Sequence, residues 1–457
     1  MVDLQPAARR AAPAIKHEVY WRETEPVEPG PPLSGDLRCD VAIIGGGYTG
    51  LWTAHQLKLA EPTLDVQIIE SDYAGSGASG HGDGFVTPTI GHSLAAFTHA
   101  FGTDRARVAY SVVGRSILEL QRFCRKHSID AQLEPTGYFQ VATSAAQLRW
   151  LERDIELVDQ LGANSSLELL DRSAMRDRLS SPAIQGAFKV GGALVNPHRL
   201  VRGLTRVVRA QGVPVHEHTP ALAMSRNGSR HIIQTPGGTL SADKVLLATN
   251  AYQHQFVPFR RKVKPFWSYL AVTEPLTDDQ LAHVTWPGRE GFVEARNLIV
   301  FGRLTAQNRL LVGGGPAPYF YGRDMNPHRM RNPASVALLR ETLTRYFPMW
   351  RELRFTHAYG GCIDMTRDLV PHVGTLGDGM FYGHGYCGNG IAFTHTAGKV
   401  LRDLILERDS AYTNLLFVNG NEPSYLAEPL TWLRERTRSA LHAFQDRYPN
   451  MIKRPLV

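Results

Sequence analysis

The run Asp40 to Ala60, DVAIIGGGYTGLWTAHQLKLA, constrains the fold more than any other part of the chain. A short β-branched strand leads into Gly45-Gly46-Gly47-Tyr48-Thr49-Gly50, a GxGxxG, and a helix-forming stretch follows. Val66 to Glu70 (VQIIE) supplies a second strand, so the spacing predicts a βαβ unit. Glycines admit close approach of a ligand, and the first turn of the helix offers free N–H groups at the positive end of its dipole, where a pyrophosphate is stabilised. Glu70 ends the second strand about 20 residues past Gly50, where a carboxylate accepts from both ribose hydroxyls and repels a 2′-phosphate. The pattern predicts dinucleotide binding through Gly45 to Gly50, Glu70 and Ser71, with NADP disfavoured and a merely structural glycine turn as the alternative.

A chain of 457 residues exceeds one ordinary core, so two packed domains are expected. With 43% hydrophobic and 20% charged residues and no apolar run long enough for a span, the composition is that of a folded protein outside the bilayer. The net charge of +7 is mild at this length and no basic block accompanies it, which argues against nucleic acid. Cys39, Cys124, Cys362 and Cys387 are widely spaced without a CxxC, and no HxH or HExxH occurs, so neither a metal site nor a disulfide framework is expected. Arg9 and Arg10 are not followed by an apolar stretch, so no secretory signal is read and the cytoplasm is the expected compartment.

The predicted class is α/β: a Rossmann-like cofactor domain interleaved with a mixed, largely antiparallel sheet that forms a substrate domain. An N-terminal arm takes residues 1–36. Residues 37–105, 190–262 and 357–415 are assigned to the cofactor domain, 106–189 and 263–356 to the substrate domain, and 416–457 to a helical tail. Val113, Ile117, Leu120 and Cys124, then Leu148, Leu151, Ile155 and Val158, fall at helical spacing and are expected to cover the second domain. WSYLAVTEP, NLIVFGRLT and RLLVGGG alternate as antiparallel strands do, GGCIDMTRDLVPHVG (Gly360 to Gly374) reads as turn-rich, and a tail helix with Leu430, Leu433, Leu441 and Phe444 is expected to dock through them.

After Glu70, SDYAGSGASGHGDGF reads as an extended loop, which suits a long flat ligand such as FAD rather than NAD. Gly388, Asn389 and Gly390 open the last core helix and offer N–H groups where an anionic reduced flavin gathers its charge. The chain resembles the D-amino-acid-oxidase superfamily of FAD proteins, in the gamma-glutamylputrescine oxidase branch, with sarcosine and glycine oxidases as cousins. The markers are Tyr20-Trp21, the GxGxxG, GASG (Gly77 to Gly80), ATNAY (Ala248 to Tyr252), TEPL (Thr273 to Leu276), RLLVGG (Arg309 to Gly314), the 360–374 stretch and GYCGNG (Gly385 to Gly390).

The resemblance implies extended FAD whose ring faces the second domain across an enclosed pocket. It also implies a free amine substrate that yields hydride to flavin N5, then imine hydrolysis and reoxidation of the flavin by oxygen. Ser79, Gly80 and Val215 join the expected cofactor-binding residues. The chain departs from the usual GASGRNGGF: His81 replaces an arginine and Asp83 follows two residues on. His81 is a non-covalent flavin neighbour or acid/base, a covalent anchor as in dimethylglycine-type dehydrogenases, or a loop residue bonded to Asp83. Cys362 stands about one residue out of register with the cysteine that carries flavin in sarcosine oxidases. Trp267 and Tyr269 share a strand face and Arg303 is a candidate carboxylate fork, so His81, Asp83, Trp267 and Arg303 form the expected catalytic set. Each has a structural alternative, as core or rim. Lys264 is a candidate for the positive charge that oxygen reactivity needs. The alternatives to an amine oxidase are a flavin dehydrogenase feeding an electron carrier, an NAD-dependent dehydrogenase, and a flavin-binding protein without turnover.

Overall fold

The computed structural model describes residues 14–91, 94–162 and 167–449, so the first 13 residues of the expected arm, with Arg9 and Arg10, and the last eight of the expected tail lie outside the described residues. Strand β1 (Leu37–Ile44) runs into helix α1 (Tyr48–Ala60) and strand β2 (Val66–Ile69), the βαβ unit expected from the glycine motif. Both strands lie in a sheet whose parallel core runs Met380–His384, Gly238–Leu247, β1, β2, Val215–His216. Its central strands are buried on both faces, which is why VAII and VLL read as continuous apolar runs.

The second sheet has the order Phe355–Thr366, Val263–Pro275, Arg309–Gly314, Val300–Leu304, Gly291–Glu294, Tyr138–Ala142, Gly186–Val190, Leu170–Asp171. All neighbours are antiparallel except Gly291–Glu294 and Tyr138–Ala142, so this sheet is mixed and largely antiparallel. Helix Pro333–Tyr346 covers one face through Leu339 and Leu343, which pack with Phe139, Phe292, Leu310 and Val312.

Three local expectations are corrected. The residues GGCIDMT close the 12-residue strand Phe355–Thr366 instead of forming turns. Gly360 is there for packing: a Cβ would stand 2.6 Å from the Tyr269 ring and 3.2 Å from Trp267. Helix Thr103–Lys126 does not cover the second sheet. Its Val113, Ile117, Leu120 and Cys124 enter the core of the first, beside Trp52, Phe393 and Leu401, while Leu151 packs with Ala142 and Phe188 of the second. Helix Leu430–Arg447 docks through Thr431, Glu435 and Gln445, and leaves Leu430, Leu433, Leu441 and Phe444 exposed.

Candidate flavin site

The turn before α1 is shaped by neighbours on three sides. Gly45 has φ +116°, and a Cβ there would lie 2.4 Å from the Ala248 carbonyl, so only glycine fits. The N-cap residue of α1, Gly47, has no side chain to cap the helix. The Tyr48 N–H donates to Ser79 Oγ at 3.0 Å, and Gly46 N–H donates to Glu70 Oε2 at 2.8 Å. Glu70 Oε1 accepts from Ser71 Oγ at 3.0 Å and from Asp72 N–H at 3.1 Å. Burial still holds its carboxyl above the ordinary range.

A continuous cavity of about 2200 Å³ begins at this turn. It is lined by Gly45, Gly47, Tyr48, Thr49, Glu70, Ser71 and Ser79, passes His81 and Asp83, and reaches Gly388, Asn389 and Gly390. Gly46, Gly50 and Gly80 stand behind it. Gly50 serves packing, since a Cβ would meet Ile43 Cγ2 at 2.9 Å. Val215 does not line the cavity: its side chain is in the first core, and Thr219, Pro220 and Ala221 reach the cavity instead.

The loop after β2 is not fully extended, because Ala78–His81 closes one helical turn that keeps Ser79 on the α1 N-terminus. Trp21 fixes the next residue by donating from Nε1 to the Gly82 carbonyl at 2.8 Å. His81 opens partly to the cavity, yet its Nε2 is sealed from solvent and without a partner. Burial, with Arg22 and His198 nearby, lowers its pKa to about 3, so the imidazole is neutral at any working pH. That removes its competence as a general base and leaves hydrogen bonding. The alternative of a bond to Asp83 is not what forms: Asp83 Oδ1 accepts from Phe85 N–H at 2.9 Å. Burial raises the Asp83 carboxyl to about 6.

Arg303 is not a fork open to substrate. It is 1% exposed and does not line the cavity, and its Nη1 donates to the Val195 carbonyl at 2.8 Å, supporting the loop from behind. Trp267 and Tyr269 do share a face, stacked with ring centres 6.5 Å apart, but it is the face packed in the second core. Trp267 touches the cavity with its Nε1 already donating to the Asp324 carbonyl at 3.0 Å. The opposite face looks toward His81, where a Cβ on Gly361 would lie 3.9 Å from His81 Cβ, and it carries Ser268, Leu270 and Tyr359. Cys362 lines the cavity with its thiol pushed up to about 12 by burial, so it is no thiolate. Lys264 lies outside the cavity, against Glu428 Oε1 at 3.3 Å and Tyr319 Oη at 3.4 Å, its pKa lowered to about 8 by burial.

At the far end helix Gly390–Ile405 also lacks a side-chain cap. Asn389 turns instead to the Gly91 carbonyl at 2.8 Å and accepts from Thr87 Oγ1 at 3.2 Å, which leaves the helix tip facing the cavity. Sequence reasoning missed Asp364 and Asn250, which sustain this tip. Asp364 Oδ2 accepts from Gly385 N–H at 2.5 Å, and the Asn250 amide, in the orientation that satisfies both its ends, donates to Asp364 Oδ1 at 3.0 Å. Both line the cavity, and burial lifts the Asp364 carboxyl to about 7. The available signal was a lone acid in the apolar run CIDM.

Two helix tips whose N-cap residues make no side-chain cap, a ribose-type acid and an imidazole along one cavity fit a dinucleotide carrying a ring system. Residues 40–404 match the family model described as DAO, FAD dependent oxidoreductase. The chain belongs to this family of FAD-dependent oxidoreductases, and FAD is its cofactor. Among individual proteins it is similar to gamma-glutamylputrescine oxidoreductase of Escherichia coli (strain K12), 31% identical over 390 residues covering 84% of this chain and 88% of that one. Glycine oxidase of Geobacillus kaustophilus (strain HTA426) is 24% identical over 387 residues, 82% of this chain and 95% of the relative. The fold agrees with the crystal structure of glycine oxidase from Geobacillus kaustophilus at a TM-score of 0.70 and 22% identity, over 85% of this chain and 100% of that one.

Proposed function

We propose that this chain oxidises a primary or secondary amine, in the class of amino acids, N-methyl amines and acylated polyamines. The observation that carries the reading is the continuity of the cavity: one space joins the glycine turn to an aromatic chamber lined by Phe85, Tyr138, Phe188 and Phe301. The names of the relatives, gamma-glutamylputrescine oxidoreductase and glycine oxidase, support the same class. When bound, FAD supplies the electron sink for the hydride leaving the carbon next to nitrogen.

The chain's own residues hold and orient. The α1 N-terminus and Ser79 would receive the pyrophosphate, Glu70 the ribose, and the Gly388–Gly390 tip the negative charge of the reduced ring. Neutral His81 would offer the part of its imidazole that opens to the cavity as a hydrogen-bond partner. Asp83, with Oδ1 committed to Phe85 N–H and a pKa near that of a working base, would take the ammonium proton at Oδ2 so that substrate reacts as free amine. The aromatic chamber would receive the apolar part of the substrate. Cys362 is protonated and His81 shielded, which supports flavin held without a covalent bond. The four cysteines are free, which goes with a reducing compartment and action in the cytoplasm.

Adding a panel of amino acids, N-methyl amines and polyamines to the air-free holoenzyme tests the reading. At least one amine should bleach the flavin absorption; a panel without effect contradicts it. Oxygen is the acceptor in this reading, with hydrogen peroxide released. A second reading, an electron carrier as acceptor, is favoured by the position of Lys264 and by the absence of any lysine from the described residues lining the cavity. Stopped-flow mixing of reduced enzyme with air separates them: rapid return of colour assigns oxygen, and an inert flavin assigns the carrier.

A further inference from the structure

Helix Leu430–Arg447 is amphipathic with its polar side inward. Asp446 accepts from the N–H groups of Asn297 at 2.9 Å and Leu298 at 2.8 Å and from Arg296 Nε at 3.1 Å, while Glu435 pairs with Arg438 and Trp432, Glu435 and His442 face the cavity. Outside are Leu430 at 55% exposure, Leu433 at 57%, Leu441 at 50% and Phe444 at 47%, with Tyr448 beyond the helix end. At 3.6 residues per turn these positions fall within an arc of about 80°. Leu426 and Tyr321, the latter 6.1 Å from the Trp432 ring, continue the exposed apolar surface. Folding turns such a stripe inward when the chain itself is to cover it.

Charge decides what covers it. The acids of the helix, Glu435 and Asp446, both point inward, whereas Arg434 and Arg447 flank the stripe, exposed and without a carboxylate partner among the described residues, and Arg436 lies over Trp432 at the cavity side. The sequence after it adds Lys453 and Arg454. A second copy packed stripe to stripe would set these arginines against their own equivalents, with no outward acid on the helix to meet them. An anionic lipid surface neutralises them and takes the leucines and Phe444 at the boundary of headgroups and acyl chains.

We infer that the outer face of this helix docks the protein in the plane of an anionic membrane surface. No helix among the described residues is long and apolar enough to cross a membrane, so the attachment is peripheral and reversible. The inner face of the same helix walls the cavity, so docking sets one wall of the site against the lipid.

Co-sedimentation of the full-length FAD-loaded protein with vesicles tests it. The protein should pellet with phosphatidylcholine vesicles containing phosphatidylserine, stay in solution with pure phosphatidylcholine, and be released by high salt. Leu433→Asp combined with Phe444→Asp should abolish binding. Arg434→Glu with Arg447→Glu should weaken it by roughly fivefold or more per position. Both double variants should keep the flavin spectrum and turnover in solution, because these side chains touch nothing in the cavity. Wild-type protein that remains in the supernatant with anionic vesicles overturns the inference. So does a concentration-dependent dimer, seen by sedimentation velocity, that the Leu433→Asp/Phe444→Asp variant dissociates, which would assign the stripe to a second copy.

Discussion

Three side chains that line the ring end of the cavity separate into distinct jobs by their titration. His81 is neutral at any working pH, so His81→Ala should leave FAD bound and slow flavin reduction by roughly 10- to 100-fold, the worth of one buried hydrogen bond. Acid precipitation of the wild type should leave the yellow colour in the supernatant. Asp83 takes a proton only when ionised, so kcat/KM should rise with pH through about 6 and Asp83→Asn should remove that limb. A wild-type profile flat between pH 5 and 7, on the order of one unit either side, would take the base role from Asp83. Asp364 is raised to about 7, so the folded chain keeps a proton that the unfolded chain loses near pH 4. Its contribution is therefore full below the unfolded pKa and declines as pH rises toward about 7. In urea unfolding of the apoprotein, Asp364→Asn should flatten this decline, by roughly 2–4 kcal/mol across the window.

At the scale of elements, the glycine turn and α1 are the part most legible in the sequence. A βαβ unit is local, and Gly45 to Gly50 with Glu70 carry its geometry within one short stretch. Gly47→Val should reduce FAD affinity by roughly a hundredfold or more, because even the first added carbon would lie 2.9 Å from Ser79 Oγ at the pyrophosphate end; flavin fluorescence on titration measures it. Periodicity failed where the deciding partner is remote. Alternation correctly put Trp267 and Tyr269 on one face but does not say which face meets the cavity, and that depended on helix Pro333–Tyr346. Gly360 read as a breaker because the Tyr269 ring that needs its bare backbone lies far away in the chain. Leu430, Leu433, Leu441 and Phe444 have helical spacing, but spacing does not reveal whether a stripe turns inward. Leu120, fully buried in the first core, shows the energetic weight of helix Thr103–Lys126: Leu120→Ala should cost about 2–5 kcal/mol in denaturant unfolding.

Across the whole molecule, two sheets of opposite habit face one another and the space between them is the site. The parallel sheet delivers its turns to one end of the cavity, while the antiparallel sheet supplies a flat wall through Ser268, Leu270 and Tyr359. Asn250 and Asp364 come from separate stretches of the chain and meet only when both sheets are in place, so no reading of short motifs could pair them. The same distance in sequence hid the true duty of Arg303, whose guanidinium ends among carbonyls of the loop it supports. Determining the structure of the FAD-loaded chain is the most direct test of this arrangement. The coenzyme should stretch from Ser79 and Glu70 to the Gly388–Gly390 tip with its ring beside His81, and density that leaves either end vacant or runs elsewhere would contradict it.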